Sequence, residues 1–197
     1  MQNVTAVEPP LEEPAAVAGE SQGLSPSLRL ERAARDDFQF IWRCLRRFGV
    51  QPEHCVDDAA QRVFEIAALR ISIIEPGHER AFLFKTALWV AQEFRRKQVR
   101  PREVADPTRV EAEIDGRGDP ERLLEERRWR DVLDVLLDAL PMELRSVFVL
   151  YELEELHMLE IANLLQLAPG TVASRLRRAR AAFHERARRF QARGVKP

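Results

Sequence analysis

Large apolar side chains return at intervals of three and four along most of this chain, the spacing that puts them on one side of a helix. From Leu28 to Phe48 the pattern sets Phe38, Ile41, Trp42, Leu45 and Phe48 on one face and Arg43, Arg46 and Arg47 on another, with Gly49 as the stop. A second helix is predicted from Glu53, with Val56, Ala59, Ala60, Val63, Phe64 and Ala67 inward and Asp57 and Asp58 in its first turn, where carboxylates suit the helix dipole. A third spans 78–97 and turns Phe82, Leu83, Thr86, Ala87, Val90 and Phe94 inward. Between these two, Leu69 to Glu75 (LRISIIE) has strand-like composition. With no second strand to pair with, it is expected as a loop.

Residues 101–126 break the periodicity. They hold four basic and nine acidic side chains together with Pro101, Pro107, Gly116 and Gly118, the composition of a linker. A new helix is predicted at Asp119-Pro120, a cap followed by proline in the first turn, running through Leu123, Leu124, Val132, Leu133, Leu136, Leu137 and Leu140. Pro141 stops it and opens another, with Leu144, Val147, Phe148 and Tyr151 inward. The expected fold class is all-α: two small helical domains, 28–100 and 120–194, joined by a flexible linker over 101–119. Residues 1–27, rich in Pro, Glu, Ala and Ser, bury too little to offset ordering entropy and are expected as a disordered acidic tail.

The densest signal is EIANLLQLAPGTVASRLRRAR, Glu160 to Arg180. Ile161, Ala162, Leu164 and Leu165 form one apolar stripe, and after a break at Ala168-Pro169-Gly170 a second stripe runs Val172, Leu176, Ala179 and Phe183. If both stripes face one core, Thr171, Ala173, Ser174, Arg175, Arg177 and Arg178 are left outside. That is how a helix-turn-helix presents short side chains and guanidiniums to a major groove. An arginine fork can pair with a guanine edge or clamp a phosphate.

Charge strengthens this reading once it is taken by segment. The formal net charge is only -1. Residues 1–28 nevertheless carry four glutamates and no base, whereas residues 171–197 carry nine bases against Glu185 alone, the footprint of a polyanion partner. No apolar run has the length of a membrane span and the N-terminus lacks the order of a secretory signal, so a cytoplasmic protein with no membrane partner is expected. Cys44 and Cys55 are then expected as reduced thiols. The His54, Cys55 and Cys44 spacing fits no zinc pattern, so no metal and no cofactor are expected. Nor is there a nucleophile–base arrangement or a phosphate-cradling glycine loop, so no enzymatic activity is expected.

The run Leu140 to Arg180 resembles region 4 of the extracytoplasmic-function (ECF) group of the sigma-70 superfamily. The resemblance rests on Leu140-Pro141, on Arg145, on Glu160-Ile161-Ala162, on Gly170-Thr171-Val172 opening the recognition helix, and on Ser174-Arg175-Leu176 and Arg178-Ala179-Arg180. Upstream, Asp57-Asp58-Ala59-Ala60-Gln61-Arg62-Val63-Phe64 is similar to the helix that such factors lay on the polymerase clamp. The run Arg80 to Ala87, with Arg95-Arg96-Lys97 after it, is similar to the helix that opens the minus-ten element. Leu88-Trp89, Ala173 and His157-Met158 depart from the family pattern.

What the resemblance implies is an alternative sigma factor. Its partners would be core RNA polymerase, promoter DNA and an anti-sigma factor. Thr171, Ser174, Arg175, Arg177 and Arg178 would meet the minus-thirty-five element, Trp89, Arg95, Arg96 and Lys97 the minus-ten element, and Asp57, Asp58, Gln61 and Phe64 the polymerase. The rival is a stand-alone helix-turn-helix regulator, in which the helix at 57–64 is buried in a symmetric dimer instead of facing a polymerase.

Overall fold

A computed structural model describes residues 23–99 and 120–192, and every regular element among them is helical. The tail expected over 1–27, except for its last residues, and the linker expected over 101–119 lie outside the described residues. Helix α1 spans Pro26–Arg47, opened by the Ser25 hydroxyl, which accepts from the Leu28 amide, and by proline in the first turn. Helices α2, Glu53–Arg70, and α3, Glu79–Val99, complete a three-helix bundle with it.

Aromatic pairs hold this bundle together. Phe38 stacks on Phe64 at 5.8 Å, while Phe84 meets Phe40 at 6.0 Å and Phe48 at 5.7 Å. Gly49 follows α1 with φ of +90°, a left-handed turn that only glycine adopts without strain. The loop expected over 69–75 is the end of α2 followed by turns, with Ile71 and Ile74 buried and Leu69 and Ile73 exposed. Arg29 pins that loop: its Nε donates to Glu79 Oε1 and its terminal nitrogen to the Ile74 carbonyl, both at 2.6 Å.

The second group of helices comprises α4, Pro120–Asp138, α5, Met142–Phe148, a π-helical turn at Val149–Leu153, α6, Met158–Leu165, and α7, Pro169–Ala192. Phe148 of α5 stacks on Phe183 of α7 at 4.7 Å. Glu160 reaches back to the His157 amide at 2.7 Å and closes the start of α6. One detail of the helix-turn-helix differs from the sequence reading. The chain breaks at Gln166, in the left-handed region at φ of 54°, and Pro169-Gly170 already belong to the first turn of α7. A Cβ on Gly170 would meet nothing within 4 Å, so its freedom is not what makes the turn.

The two groups of helices touch. Buried residues from α1–α3 and from α4–α7 form one connected apolar cluster, with α6 packed on α3. Gly49 marks how close the approach is: a Cβ there would lie 2.7 Å from Asp138 Oδ1 and 3.1 Å from an Arg145 terminal nitrogen.

Candidate nucleic-acid interface

Helix α7 carries the basic residues, and its orientation follows from where its apolar stripe goes. Val172, Leu176 and Ala179 are buried against α5 and α6. At about 100° per residue, this turns Ser174, Arg177 and Arg178 to the outer pole and Thr171 and Arg175 to one flank. Exposure agrees: Arg177 and Arg178 are exposed, while Thr171, Ser174 and Arg175 are half-buried. The Ser174 hydroxyl donates to the Thr171 carbonyl at 2.9 Å, which occupies its proton and leaves its lone pairs outward.

Arg180 is committed elsewhere. Its Nε donates to Glu152 at 2.5 Å and its guanidinium lies 5.0 Å from the centre of the Tyr151 ring, and the hydrogen bond to Glu152 raises its pKa. Both partners come from the π-helical turn. An open groove of about 330 Å³, lined by Tyr151, Met158, Ala173, Leu176, Arg177 and Arg180, separates that turn from α7. Further along, Arg189 pairs with Glu185, while Arg186 and Arg188 are exposed. The outward charge of α7 is therefore held chiefly by Arg177, Arg178, Arg186 and Arg188.

On α3, Trp89 is half-buried and packed against the core cluster. Arg95 is half-buried, its Cδ 3.5 Å from where a Cβ on Gly49 would stand. Arg96 and Lys97 are exposed, and Lys97 pairs with Glu93 at 2.8 Å. These four residues do not share one face. Trp89 and Arg96 lie on one stripe by helical spacing, with Arg95 and Lys97 on either side of it.

On α2, Asp57, Asp58, Gln61 and Phe64 point the same general way, and their surroundings separate them. Asp58 and Gln61 are exposed, with Gln61 donating to Glu65 at 3.0 Å. Asp57 accepts from the Trp42 indole nitrogen at 2.8 Å. Phe64 is half-buried in its stack with Phe38 and serves the bundle. The outer face of α2 is thus a polar, solvent-facing surface, with no second helix of the described residues across it.

Sequence reasoning took Arg145 only as a family mark. The structure buries it completely: Nε donates to the Leu137 carbonyl at 2.6 Å, one terminal nitrogen to Asp138 at 2.6 Å, and the other terminal nitrogen has no partner. Burial pulls its pKa down to about 10 against the pull of Asp138. Its sequence signal was position, since it falls beside Leu144 and Phe148 on the inward stripe of α5. Cys44 is buried, and burial pushes its thiol pKa well up; Cys55 is half-buried, and both are free. Among the described residues no group of three or more His, Cys, Asp or Glu side chains is placed to hold a metal ion. No described helix is long and apolar enough to cross a membrane.

Comparison with known proteins covers both halves of this arrangement. Residues 130–183 match the family described as "Sigma-70, region 4". The chain is 31% identical over 131 residues to the ECF RNA polymerase sigma factor SigE of Mycolicibacterium smegmatis, a match covering 65% of this chain and 50% of that one. The chain thus spans half the length of that relative. Among solved structures, CnrH in complex with the cytosolic domain of CnrY superposes with a TM-score of 0.56 at 24% identity, over 79% of this chain and 85% of that one. This last likeness, over 79% of this chain, carries the shared fold beyond residues 130–183.

Proposed function

We propose that this chain belongs to the extracytoplasmic-function group of the sigma-70 family, a reading supported by its likeness to region 4 and to SigE, and that it is an alternative sigma factor that binds core RNA polymerase and directs it to a limited set of promoters. In this reading residues 28–100 form the polymerase-binding and minus-ten domain and residues 120–194 the minus-thirty-five domain. The observation that carries it is the coexistence, in one chain, of an outward arginine pair on the second helix of a helix-turn-helix and an uncovered polar face on α2. In a dimeric regulator that face would instead be buried symmetrically.

The mechanism is differential binding, with no bond made or broken. Arg177 and Arg178, flanked by Thr171, Ser174 and Arg175, hold duplex DNA at the minus-thirty-five element. Asp58 and Gln61, with Asp57 held by Trp42, face the polymerase. Trp89 and Arg96, with Arg95 and Lys97 beside them, take the unstacked strand of the minus-ten element, where an aromatic ring stacks on a base and arginines hold phosphate. Joining the two domains in one chain makes the second engagement effectively intramolecular, so two weak contacts add to a firm one. CnrH, which shares this fold, is solved in complex with the cytosolic domain of CnrY, which supports an anti-sigma partner for this chain as well. The place of action is the cytoplasm, where polymerase and template are.

The test is transcription in vitro with the purified chain, core polymerase and a genomic template library. Start sites that appear only when the chain is added are expected. A chain that neither co-purifies with core enzyme nor shifts start sites, yet binds a discrete duplex operator, returns the protein to the regulator class.

A further inference from the structure

Ala173, Arg177 and Arg180 follow one another at four and three residues, so they share the flank of α7 opposite to Thr171 and Arg175, and all three line the open groove. A helix roughly 10–12 Å across fills a major groove about 12 Å wide, so each flank of a seated α7 meets one phosphate backbone. Arg175 and Arg178 supply one side. On the other side Arg177 stands beside Arg180, and Arg180 is held by Glu152 at 2.5 Å over the Tyr151 ring. The holder comes from outside α7. In the π-helical turn Val149–Leu153 the Glu154 amide donates back to the Val149 carbonyl at 3.0 Å, Val149 and Leu150 are buried, and Tyr151 and Glu152 reach α7. Arg189–Glu185, by contrast, is a pair of neighbouring turns on α7 itself with both side chains mostly exposed, the kind that water and salt loosen.

We infer that Glu152 is a specificity-determining residue for duplex binding: it withholds Arg180 from phosphate and sets a carboxylate on the flank where one backbone passes, so α7 grips the two backbones unevenly and draws its affinity from base edges. The inference rests on the proposed function for the identity of the ligand, and on the contacts of Arg180 alone for the restraint. The Arg180 side chain is 45% exposed and that of Glu152 32%, so phosphate can reach the pair. An arriving backbone must then displace the carboxylate or do without this cation, and a like charge left facing it is a repulsive element of the kind that discriminates between partners. Ala173, one helical turn ahead of Arg177, adds no donor on this side. Phosphate contacts position a protein without reading sequence, so a withheld contact lowers affinity for every duplex. A duplex whose base edges suit Thr171, Ser174, Arg177 and Arg178 depends on that contact least. The ratio between promoter and random sequence therefore rises.

The test uses the full chain and four proteins: wild type, Glu152→Gln, Arg180→Ala, and the double variant E152Q/R180A. Gln keeps the shape of the side chain and removes only its charge. Fluorescence anisotropy over a salt series reads binding to a mixed-sequence duplex and to a duplex carrying a start site found in the transcription assay. Glu152→Gln is expected to tighten mixed-sequence binding about three- to tenfold at low salt and to steepen the log–log salt slope by about one, the mark of one more phosphate engaged. The promoter duplex is expected to gain less. In the Arg180→Ala background the same Glu152→Gln change is expected to do nothing, which no merely structural role for Glu152 would produce. An unchanged slope in Glu152→Gln, or no duplex binding by any of the four, overturns the restraint. So does a gain of equal size with and without Arg180, which would be simple relief of repulsion. Equal gains on the two duplexes overturn the specificity role. Binding to core polymerase is read in parallel and is expected to be equal in all four. Its absence in every protein defeats the sigma reading, while the mixed-sequence duplex still decides whether Glu152 restrains Arg180.

Discussion

Arg145 allows the sharpest test of what holds the helix-turn-helix half together. Its guanidinium is fully buried and makes two short hydrogen bonds, to the Leu137 carbonyl and to Asp138. Arg145→Ala removes both and leaves a void where α4, α5 and Gly49 converge. Loss of a buried, hydrogen-bonded charge together with its volume costs about 3–5 kcal/mol. Arg145→Met keeps most of the volume. Asp138, 46% exposed, can turn to water once released. One guanidinium nitrogen was unpaired already, so little is lost on that side. The remaining debit is the Leu137 carbonyl, about 1–3 kcal/mol for an orphaned buried acceptor, offset by no longer having to desolvate a charge.

The assay is urea unfolding followed by circular dichroism. With a slope near 2 kcal/mol per molar, Arg145→Ala should lower the midpoint by about 2 M and Arg145→Met by about 0.5–1 M, with the slope unchanged. If Arg145→Met is as costly as Arg145→Ala, the guanidinium's hydrogen bonds outweigh its packing and the argument above is wrong.

Three further outcomes are expected. Arg177→Ala and Arg178→Ala should each flatten the dependence of duplex binding on salt by about one unit of slope in a log–log plot, whereas Arg180→Ala, whose charge is already held by Glu152, should leave the slope unchanged. Asp58→Ala and Gln61→Ala should weaken binding to core polymerase about tenfold with thermal stability unchanged; Asp57→Ala should instead lower stability by about 1 kcal/mol through loss of the Trp42 hydrogen bond, read as a shift in melting temperature. Asp134 has its pKa raised, because burial outweighs the attraction of Arg46 and Arg47. The native state therefore holds that proton more tightly than the unfolded chain. Its unfavourable contribution is present above the raised pKa and fades as pH falls through it toward the ordinary value of 3.8. Unfolding midpoints should accordingly show the wild type gaining on Asp134→Asn as pH drops from 7 to about 4, and a wild type that instead loses ground would mean that the arginine attraction dominates.

Much of this protein is written in local spacing. The seven α-helices of the described residues, the buried stripe Val172–Leu176–Ala179 and the outward Arg177 and Arg178 follow from periodicity, because a helix repeats every 3.6 residues and one apolar face must be hidden wherever the helix ends up. The charge asymmetry between the two ends of the chain is likewise a property of sequence alone. Only the tertiary structure decides what depends on residues distant in the chain. The turn of the helix-turn-helix sits at Gln166, although Pro169 and Gly170 are the conspicuous breakers, since the left-handed residue is set by how α6 and α7 must pack. Arg180 is drawn to Glu152 and Arg43 to Glu154, so two of the chain's arginines serve internal contacts that no helical wheel reveals. Phe64 and Asp57 match the family's polymerase helix in sequence, yet one stacks on Phe38 and the other holds Trp42. Periodicity states that a side chain faces inward or outward. What it meets there is a matter of which helices fold back on one another, and that choice belongs to the packed chain as a whole.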